Sequence, residues 1–353
     1  MLRKICPILL ALSLAAFLGC GGEEETKPGG GEEPIPTEKY DTLYDVFFVS
    51  ELEGWAVGEN SAIIHTTDGG KTWESQSENV KWLSEGENKY VLYCVQFTDE
   101  KTGWIVGEKG VLLRTTDGGA TWEQIDTGVQ DVVLRSITIQ HNPSATPPDA
   151  AWIVGTGGTI LFSNDGGQTW IKQDSPVNKD LYSVTSIGYY QGGWKVWAAG
   201  QDGVIIFTGD GLTWQEQKSG IPTTLLSIFF ANVSPTEKEF RGWAVGVNGV
   251  VRATTDFGKT WKPQDADAIG QHLRDVFFME KTPIGWIVGD GGLVRYTRDA
   301  GKTWRMRASG VFKTLYAVHF VNTSEGWAVG KDGVVIHTTD SGTHWEVLRG
   351  SPF

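Results

Sequence analysis

The chain has 353 residues, in which 43 acidic side chains outnumber 30 basic ones and give a net charge of −13. This acidic balance argues against nucleic acid or an anionic lipid surface as the main partner. Of the three cysteines, two lie within the first twenty residues. Cys94 therefore has no partner for an internal disulfide, and we expect it to be a small buried residue rather than a reactive thiol.

Residues 1–20 have the pattern of a lipoprotein signal peptide. Arg3 and Lys4 precede an apolar stretch that is too short to be a reliable membrane span and ends at Gly19 and Cys20. The Gly-Cys pair resembles the lipobox of bacterial lipoproteins, in which the cysteine is acylated, so Cys20 is the predicted lipidation site. The alternative is ordinary cleavage, which would release a free secreted protein.

Residues 21–40 are rich in Gly, Glu and Pro, and such a composition cannot bury a core. We expect a flexible tether here. The predicted location is that of an exported bacterial lipoprotein in the cell envelope. Because Gly21 rather than Asp follows the cysteine, the outer membrane, facing the periplasm or the cell surface, is favoured over the inner membrane.

Residues 41–353 repeat one unit seven times. A sequence motif such as Thr66-Thr67-Asp68-Gly69-Gly70-Lys71-Thr72-Trp73 recurs every 41 to 49 residues, which predicts a repeat architecture. The acid of each turn is expected to accept hydrogen bonds from turn amides, and the tryptophan to pack between repeats. The acids are Asp68, Asp117, Asp165, Asp210, Asp256, Asp299 and Asp340, and the tryptophans are Trp73, Trp122, Trp170, Trp214, Trp261, Trp304 and Trp345.

Two further sequence motifs precede this Asp- and Trp-containing motif in each unit. One is Gly-Trp-Ala-Val-Gly, as at residues 54–58, and the other is Leu-x-x-Val-x-Phe, as at residues 43–48. Asn-Gly and Asp-Gly pairs supply the positive φ angles of tight hairpins. Four strands per unit predict an all-β, seven-bladed β-propeller of four-stranded antiparallel blades. The mode of ring closure stays open, although blade seven is able to abut blade one without an exchanged strand.

Candidate contact residues follow from this geometry. The residue after each opening leucine should lie near the loops of one face, where Tyr and Arg are favoured interface residues. The alternative is packing between blades beside the tunnel. Two tryptophans outside the repeated motifs, Trp82 and Trp194, are further candidate ligand platforms. The face candidates are Tyr44, Tyr93, Arg135, Tyr182, Arg274 and Tyr316, with Leu226 as the exception.

A basic sector interrupts the acidic ring, because seven of the ten arginines after the signal fall between Arg241 and Arg307. Arg252 and Arg295 occupy the same place in consecutive units, so they could hold one anionic or carboxylate-bearing partner. The alternative is pairing with nearby Asp and Glu.

The repeated motifs resemble those of known families. Ser/Thr-x-Asp-x-Gly-x-Thr-Trp resembles the Asp-box, or BNR repeat, of sialidases, xyloglucan-cleaving glycosidases and sortilin-type receptors. The fuller unit is similar to the photosystem II stability and assembly factor family, in all seven blades. The resemblance implies a non-catalytic propeller with an Arg-rich patch that assists assembly of a membrane complex.

The expected function is therefore that of a membrane-tethered scaffold that binds a protein partner in the cell envelope. We expect a monomer without cofactor or metal, attached to the membrane through its lipid anchor only. A photosynthetic host is not required, because similar repeats occur in bacteria that do not photosynthesise.

The alternative is a carbohydrate-binding, sialidase-like or other glycoside hydrolase propeller. Sialidases need an arginine early in blade one, but no arginine lies between Arg3 and Arg114. Two suitably spaced acids at the ring mouth would suffice for glycoside hydrolysis, yet seven Asp residues are assigned to turns. His65 and His337 are equivalent in blades one and seven, and two histidines are weak evidence for a metal. Catalysis is therefore not expected.

Overall fold

The computed structural model describes residues 40–80, 89–141 and 149–353. The predicted signal peptide, the lipidation site Cys20, residues 21–39 of the tether and the candidate Trp82 lie outside the described residues.

Seven antiparallel sheets, each built from four consecutive strands, make up the described fold and confirm the predicted seven-bladed propeller. Blades 1 to 4 contain β1 (Leu43–Phe48), β2 (Gly54–Gly58), β3 (Ile63–Thr66) and β4 (Glu74–Ser75); β5 (Leu92–Phe97), β6 (Gly103–Gly107), β7 (Leu112–Thr115) and β8 (Glu123–Gln124); β9 (Leu134–His141), β10 (Asp149–Gly155), β11 (Ile160–Ser163) and β12 (Ile171–Lys172); β13 (Leu181–Tyr190), β14 (Gly193–Gly200), β15 (Ile205–Thr208) and β16 (Trp214–Gln217). Blades 5 to 7 contain β17 (Leu225–Asn232), β18 (Phe240–Gly246), β19 (Val251–Thr254) and β20 (Lys262–Gln264); β21 (Leu273–Phe278), β22 (Gly285–Gly289), β23 (Val294–Thr297) and β24 (Arg305–Arg307); β25 (Leu315–Phe320), β26 (Gly326–Gly330), β27 (Val335–Thr338) and β28 (Glu346–Arg349).

The second and third strands of each blade are joined by a single 3-10 turn, and one more such turn follows β4 at Ser77–Asn79. The predicted Asn-Gly geometry is confirmed in blade 5, where Asn248 has a φ of 58° and Gly249 a φ of 76°. A Cβ on Gly249 would lie 2.2 Å from the carbonyl oxygen of Ala268, so glycine is required there. The seven turns are Glu59–Ser61, Glu108–Gly110, Thr156–Gly158, Gln201–Gly203, Val247–Gly249, Asp290–Gly292 and Lys331–Gly333.

A phenylalanine held between two tryptophans forms the core of five of the seven blade interfaces. Trp327 of blade 7 stacks on Phe48 of blade 1 with ring centroids 3.6 Å apart. Trp73, from the Asp-box of blade 1, meets the same phenylalanine edge-on at 6.0 Å. The repeat tryptophans therefore pack at the blade interface, because the stacked ring comes from the preceding blade and the edge-on ring from the same blade as the phenylalanine. The other four stacked pairs are Trp55–Phe97, Trp197–Phe230, Trp243–Phe278 and Trp286–Phe320.

Blade 4 departs from this arrangement and explains Trp194. Ser186 occupies the phenylalanine position of the Leu-x-x-Val-x-Phe motif. Trp194 fills the space beside Trp152 of blade 3 instead, with ring centroids 5.6 Å apart. Only 6% of Trp194 is exposed. The hypothesis that Trp194 is a ligand platform is therefore wrong, because the ring replaces a missing core side chain.

The Asp-box acid holds its turn, as predicted. Asp68 accepts hydrogen bonds from the Thr72 amide at 2.9 Å and the Thr72 hydroxyl at 2.6 Å. The Thr72 side chain is the largest cause that lowers the pKa of Asp68. The Gly69 amide donates to the carbonyl of Leu52 at 2.8 Å, so the box lies at the face of the β1–β2 hairpin. The shortened box of blade 4 keeps the turn, since Asp210 still accepts two turn amides.

Ring closure involves no exchanged strand, since β25 to β28 complete blade 7 by themselves. Side chains join it to blade 1: the Trp327 indole donates to the Gly69 carbonyl at 2.8 Å, and the Phe48 amide donates to Nδ1 of His319 at 3.4 Å. The guanidinium of Arg349 lies 4.0 Å from the ring centroid of Tyr40, which brings the two ends of the described propeller together.

Candidate functional site in the channel

The first strand of every blade lines the central channel, and a β-bulge near its start determines what faces that channel. In blade 1 the register shifts between Leu43 and Asp45, and the same shift recurs after the opening leucine of each blade. Bulges re-aim side chains beside functional sites. Three tiers of seven side chains result, at one, two and four residues after the leucine.

We call these the mouth tier, the middle tier and the far tier. The mouth tier is Tyr44, Tyr93, Arg135, Tyr182, Leu226, Arg274 and Tyr316. The middle tier is Asp45, Cys94, Ser136, Ser183, Ser227, Asp275 and Ala317. The far tier is Phe47, Gln96, Thr138, Thr185, Phe229, Phe277 and His319.

The mouth tier forms a continuous arc across six blades. The Tyr44 ring lies 4.9 Å from Tyr316 and 5.3 Å from Tyr93, measured between ring centroids. The guanidinium of Arg135 lies 4.1 Å from the centroid of Tyr93 and 5.7 Å from that of Tyr182. These rings and guanidinium groups are partly exposed. The structure therefore brings the predicted face residues together, and their role in binding a partner stays a prediction.

Arg274 extends the arc into blade 6, 5.4 Å from the ring centroid of Tyr316. Its Nε donates to Asp290 at 2.8 Å. Leu226 of blade 5 interrupts the ring of polar and aromatic groups, as the sequence indicated.

Burial governs the electrostatics of the mouth tier. Burial first, and then the carboxylate of Glu59, raises the pKa of Tyr44, whose hydroxyl donates to Glu59 at 3.3 Å. Burial likewise raises the pKa of Tyr182 and Tyr316. The tyrosines are therefore neutral hydrogen-bonding groups, and Arg135 provides positive charge between two of their rings.

The middle tier joins five of the seven blades to the next blade. Asp45 Oδ2 accepts the amide of Val95 in blade 2 at 2.9 Å, and Ser136 Oγ accepts the amide of Val184 in blade 4 at 3.2 Å. In the same way, Ser183 Oγ accepts the Ile228 amide, Ser227 Oγ accepts the Val276 amide, and Asp275 Oδ2 accepts the Val318 amide. Sequence reasoning missed this tier, although a short polar side chain two residues after most opening leucines was a visible signal.

The two acids of the middle tier lie among these bonds, and part of each side chain is exposed to the channel. Burial raises the pKa of Asp45 to about 7, against an ordinary 3.8, and also raises the pKa of Asp275. The Oδ1 atoms of Asp45 and Asp275 accept the amides of Val46 and Val276, so every carboxylate oxygen has a protein partner. Burial also raises the pKa of the Cys94 thiol, which suits the expected inert residue.

The proposed joint grip of Arg252 and Arg295 is not formed. Only 5% of Arg295 is exposed, and its guanidinium donates to the carbonyls of Ala266, at 2.7 Å, and Asp267. The alternative of carboxylate pairing does not describe Arg295 either, because its acceptors, which also include the Val294 carbonyl, are backbone oxygens. Arg252 remains partly exposed.

The equivalent histidines do not meet. His65 Nε2 lies 3.2 Å from Glu53 and His337 Nε2 lies 2.6 Å from Glu325, each within its own blade. Within residues 40–80, 89–141 and 149–353, no group of three or more His, Cys, Asp or Glu side chains is placed to hold a metal ion. The helices of that same part of the chain are too short or too polar to cross a membrane.

The sequence profile of the family described as "Photosynthesis system II assembly factor YCF48" matches residues 32–130, 131–219, 208–308 and 268–352. The chain belongs to this family. Comparison with curated protein sequences finds no match.

Solved structures of YCF48 proteins have the same fold. "YCF48 bound to D1 peptide" superposes with a TM-score of 0.68 and 22% identity, over 86% of this chain and 94% of that one. YCF48 from Cyanidioschyzon merolae gives a TM-score of 0.64 and 23% identity, over 86% and 97%. The GH74 xyloglucanase from Xanthomonas campestris gives 0.66 and 11%, over 90% of this chain and 55% of the enzyme, which shows shared fold alone.

Proposed function

We propose that this protein is a non-catalytic scaffold that binds a segment of a protein partner with its mouth tier. The observation that carries the proposal is the arc of four tyrosines and two arginines, contributed by six blades and left partly exposed. Large rigid Tyr and Arg side chains dominate the energetics of protein interfaces. Family membership supports the proposal, since one YCF48 protein has been solved bound to a D1 peptide.

Arg135 is the residue of the arc best suited to engage a partner. Its guanidinium lies between the rings of Tyr93 and Tyr182, and it forms no ion pair with the described residues. Arg274 differs, because Asp290 already accepts from it. An incoming carboxylate or backbone carbonyl therefore gains more at Arg135 than at Arg274.

The test is capture of partners from solubilised cell envelope by the wild-type chain and by Arg135→Glu. We expect the charge reversal to abolish capture of proteins that the wild-type chain retains. Arg305→Glu is the matched control, because it makes the same charge change at an exposed position on the outer strand of blade 6. Equal capture by wild type and Arg135→Glu would remove the mouth tier as the binding surface.

We further propose that acylated Cys20 holds the propeller at a membrane of the cell envelope, at the outer membrane rather than the inner one. Acyl chains add about 0.8 kcal/mol of membrane affinity per buried CH₂, so several chains on one cysteine anchor firmly. Cys20→Ala should move the protein from the membrane fraction to the soluble fraction and abolish labelling with a fatty-acid analogue. Retention in the membrane fraction without label would contradict the anchor.

The rival function is glycoside hydrolysis. Against it stand the Asp-box acids, which hold turns, and the two channel acids, whose oxygens accept backbone amides. A panel of chromogenic glycosides separates the two functions. Turnover that disappears in Asp45→Asn would favour the enzyme.

A further inference from the structure

The far tier divides the channel into an aromatic arc and a polar arc. The aromatic arc runs through blades 5, 6, 7 and 1 as Phe229, Phe277, His319 and Phe47. Its ring centroids are 5.3 Å apart from Phe229 to Phe277, 5.3 Å from Phe277 to His319 and 4.5 Å from His319 to Phe47. One half of the channel wall at this level is therefore a curved surface of ring atoms.

The polar arc runs through blades 2, 3 and 4 as Gln96, Thr138 and Thr185. Only 7% of Thr138 and 8% of Thr185 is exposed, and both side chains line the channel. Gln96 uses its Oε1 to accept the Ile139 amide at 3.1 Å, which leaves its NH₂ group to donate elsewhere. Hydroxyl and amide groups on a channel wall can donate and accept hydrogen bonds with a polar ligand.

His319 adds one oriented donor to the aromatic arc. Its Nδ1 accepts the Phe48 amide at 3.4 Å, so Nε2 carries the proton of the neutral ring. Burial lowers the pKa of His319 to about 4, which keeps the ring uncharged near neutral pH.

A cavity of about 200 Å³ lies between the two arcs, lined by the far tier and by part of the middle tier. It contains no mouth-tier residue, so it occupies the other end of the channel. Burial disfavours further negative charge here, because Asp45 and Asp275 already have raised pKa values. The cavity therefore suits a neutral ligand with one apolar face and a rim of hydrogen-bonding groups.

We propose that this cavity binds a single neutral sugar residue. The C–H face of a pyranose ring packs on the aromatic arc, while its hydroxyls bond to Gln96, Thr138, Thr185 and Nε2 of His319. Sites for small molecules combine an apolar lining with a few convergent polar groups in this way. The inference goes beyond the proposed scaffold function, because it concerns the far end of the channel and a different class of ligand.

The test is ligand-observed NMR of the full chain with the methyl glycosides of glucose, galactose, mannose and N-acetylglucosamine. At least one should bind with a dissociation constant on the order of 1 mM, as the limited number of atoms in one sugar allows. Thr185→Val and Phe277→Leu keep side-chain volume nearly unchanged, and each should weaken binding roughly tenfold through loss of a hydrogen bond or of the aromatic face. Thermal unfolding checks that both variants remain folded.

Phe312→Leu is the matched control, because it makes the same change as Phe277→Leu at a side chain that is 71% exposed, and it should leave sugar binding unchanged. Failure of all four glycosides to bind, or equal binding by wild type, Thr185→Val and Phe277→Leu, overturns the proposal. Equal or tighter binding of glucuronate or of cyclohexanol overturns it as well, since the first is anionic and the second lacks the hydroxyl rim. The Arg135→Glu capture experiment involves none of these residues, so each proposal can fail without the other.

Discussion

A guanidinium removed from water must satisfy its donors inside the protein, and Arg295 does so with the carbonyls of Ala266 and Asp267. Burial also lowers the pKa of Arg295, although the group stays charged. An equivalent position in sequence therefore carries two different roles, since Arg252 is partly exposed and Arg295 ties blade 6 to the loop before it.

Arg295→Met should lower the free energy of unfolding by about 2–3 kcal/mol, because the buried carbonyl of Ala266 and the partly buried carbonyl of Asp267 lose charge-assisted hydrogen bonds. Arg305→Met, on the neighbouring exposed strand, should change it by less than about 0.5 kcal/mol. Urea denaturation followed by tryptophan fluorescence measures both. Similar losses in the two variants would show that the two carbonyl bonds contribute little.

Asp45 predicts a pH dependence of stability. Its folded pKa of about 7 exceeds the ordinary 3.8, so the folded state holds this proton more tightly than the unfolded chain. The contribution is full below pH 3.8 and is lost as the pH rises through about 7. His319 acts in the opposite direction, with stability present above pH 6.5 and lost as the pH falls through about 4.

Comparison of wild type with Asp45→Asn isolates the carboxyl group, because the His319 contribution is common to both. The free-energy difference between them should move in favour of Asp45→Asn as the pH rises from about 4 to about 7. Denaturant midpoints at a series of pH values test this. Parallel pH profiles would show that Asp45 titrates normally in the folded protein.

At the level of elements, the strength of five of the seven blade interfaces depends on one phenylalanine each. Phe48 touches the Trp327 ring face-on and the Trp73 ring edge-on, and it is 2% exposed. Because blade 7 exchanges no strand with blade 1, this cluster and the bonds of Trp327 and His319 hold the ring closed.

Phe48→Ala should destabilise the propeller by about 3–5 kcal/mol, the usual range for removal of a fully buried phenylalanine. Phe312→Ala is the control, since 71% of that side chain is exposed and its loss should cost less than about 0.5 kcal/mol. Differential scanning calorimetry of the two variants gives the comparison. A small effect at Phe48 would mean that the closing interface contributes little to global stability.

The repeated motifs made the fold predictable, because turn acids, hairpin glycines and apolar strands each indicate the same four-stranded blade. They also placed the mouth tier, since one position after each leucine stands out by its Tyr and Arg content. Arg295 was misjudged because a period in the sequence does not report burial. The far tier was missed because its residues differ from blade to blade, and only closure of the ring sorts Gln96, Thr138 and Thr185 from the aromatic rings.

For the whole molecule, closure without strand exchange makes the order of blades adjustable. Tyr40 and Arg349 are in contact, so a short flexible linker can join Phe353 to Tyr40. Gly220, in the loop between blades 4 and 5, has open space around it and offers a new chain end.

A circular permutant of residues 40–353 opened at Gly220 should therefore fold, with a melting temperature within several degrees of the parent. A permutant opened between Trp243 and Ala244, inside β18, should not fold, because it cuts a central strand. Circular dichroism and thermal unfolding of both test this. Failure of the Gly220 permutant would indicate that blade order contributes to assembly.

The separation between the tiers and the tryptophan–phenylalanine clusters has an evolutionary consequence. Every blade offers one side chain to the mouth tier, outside the tryptophan–phenylalanine clusters, so a substitution there alters the channel mouth without loosening the ring. The seven side chains of this tier can therefore change in evolution, one blade at a time, while the fold stays the same. We therefore expect proteins with this fold to bind different partners when their mouth-tier residues differ.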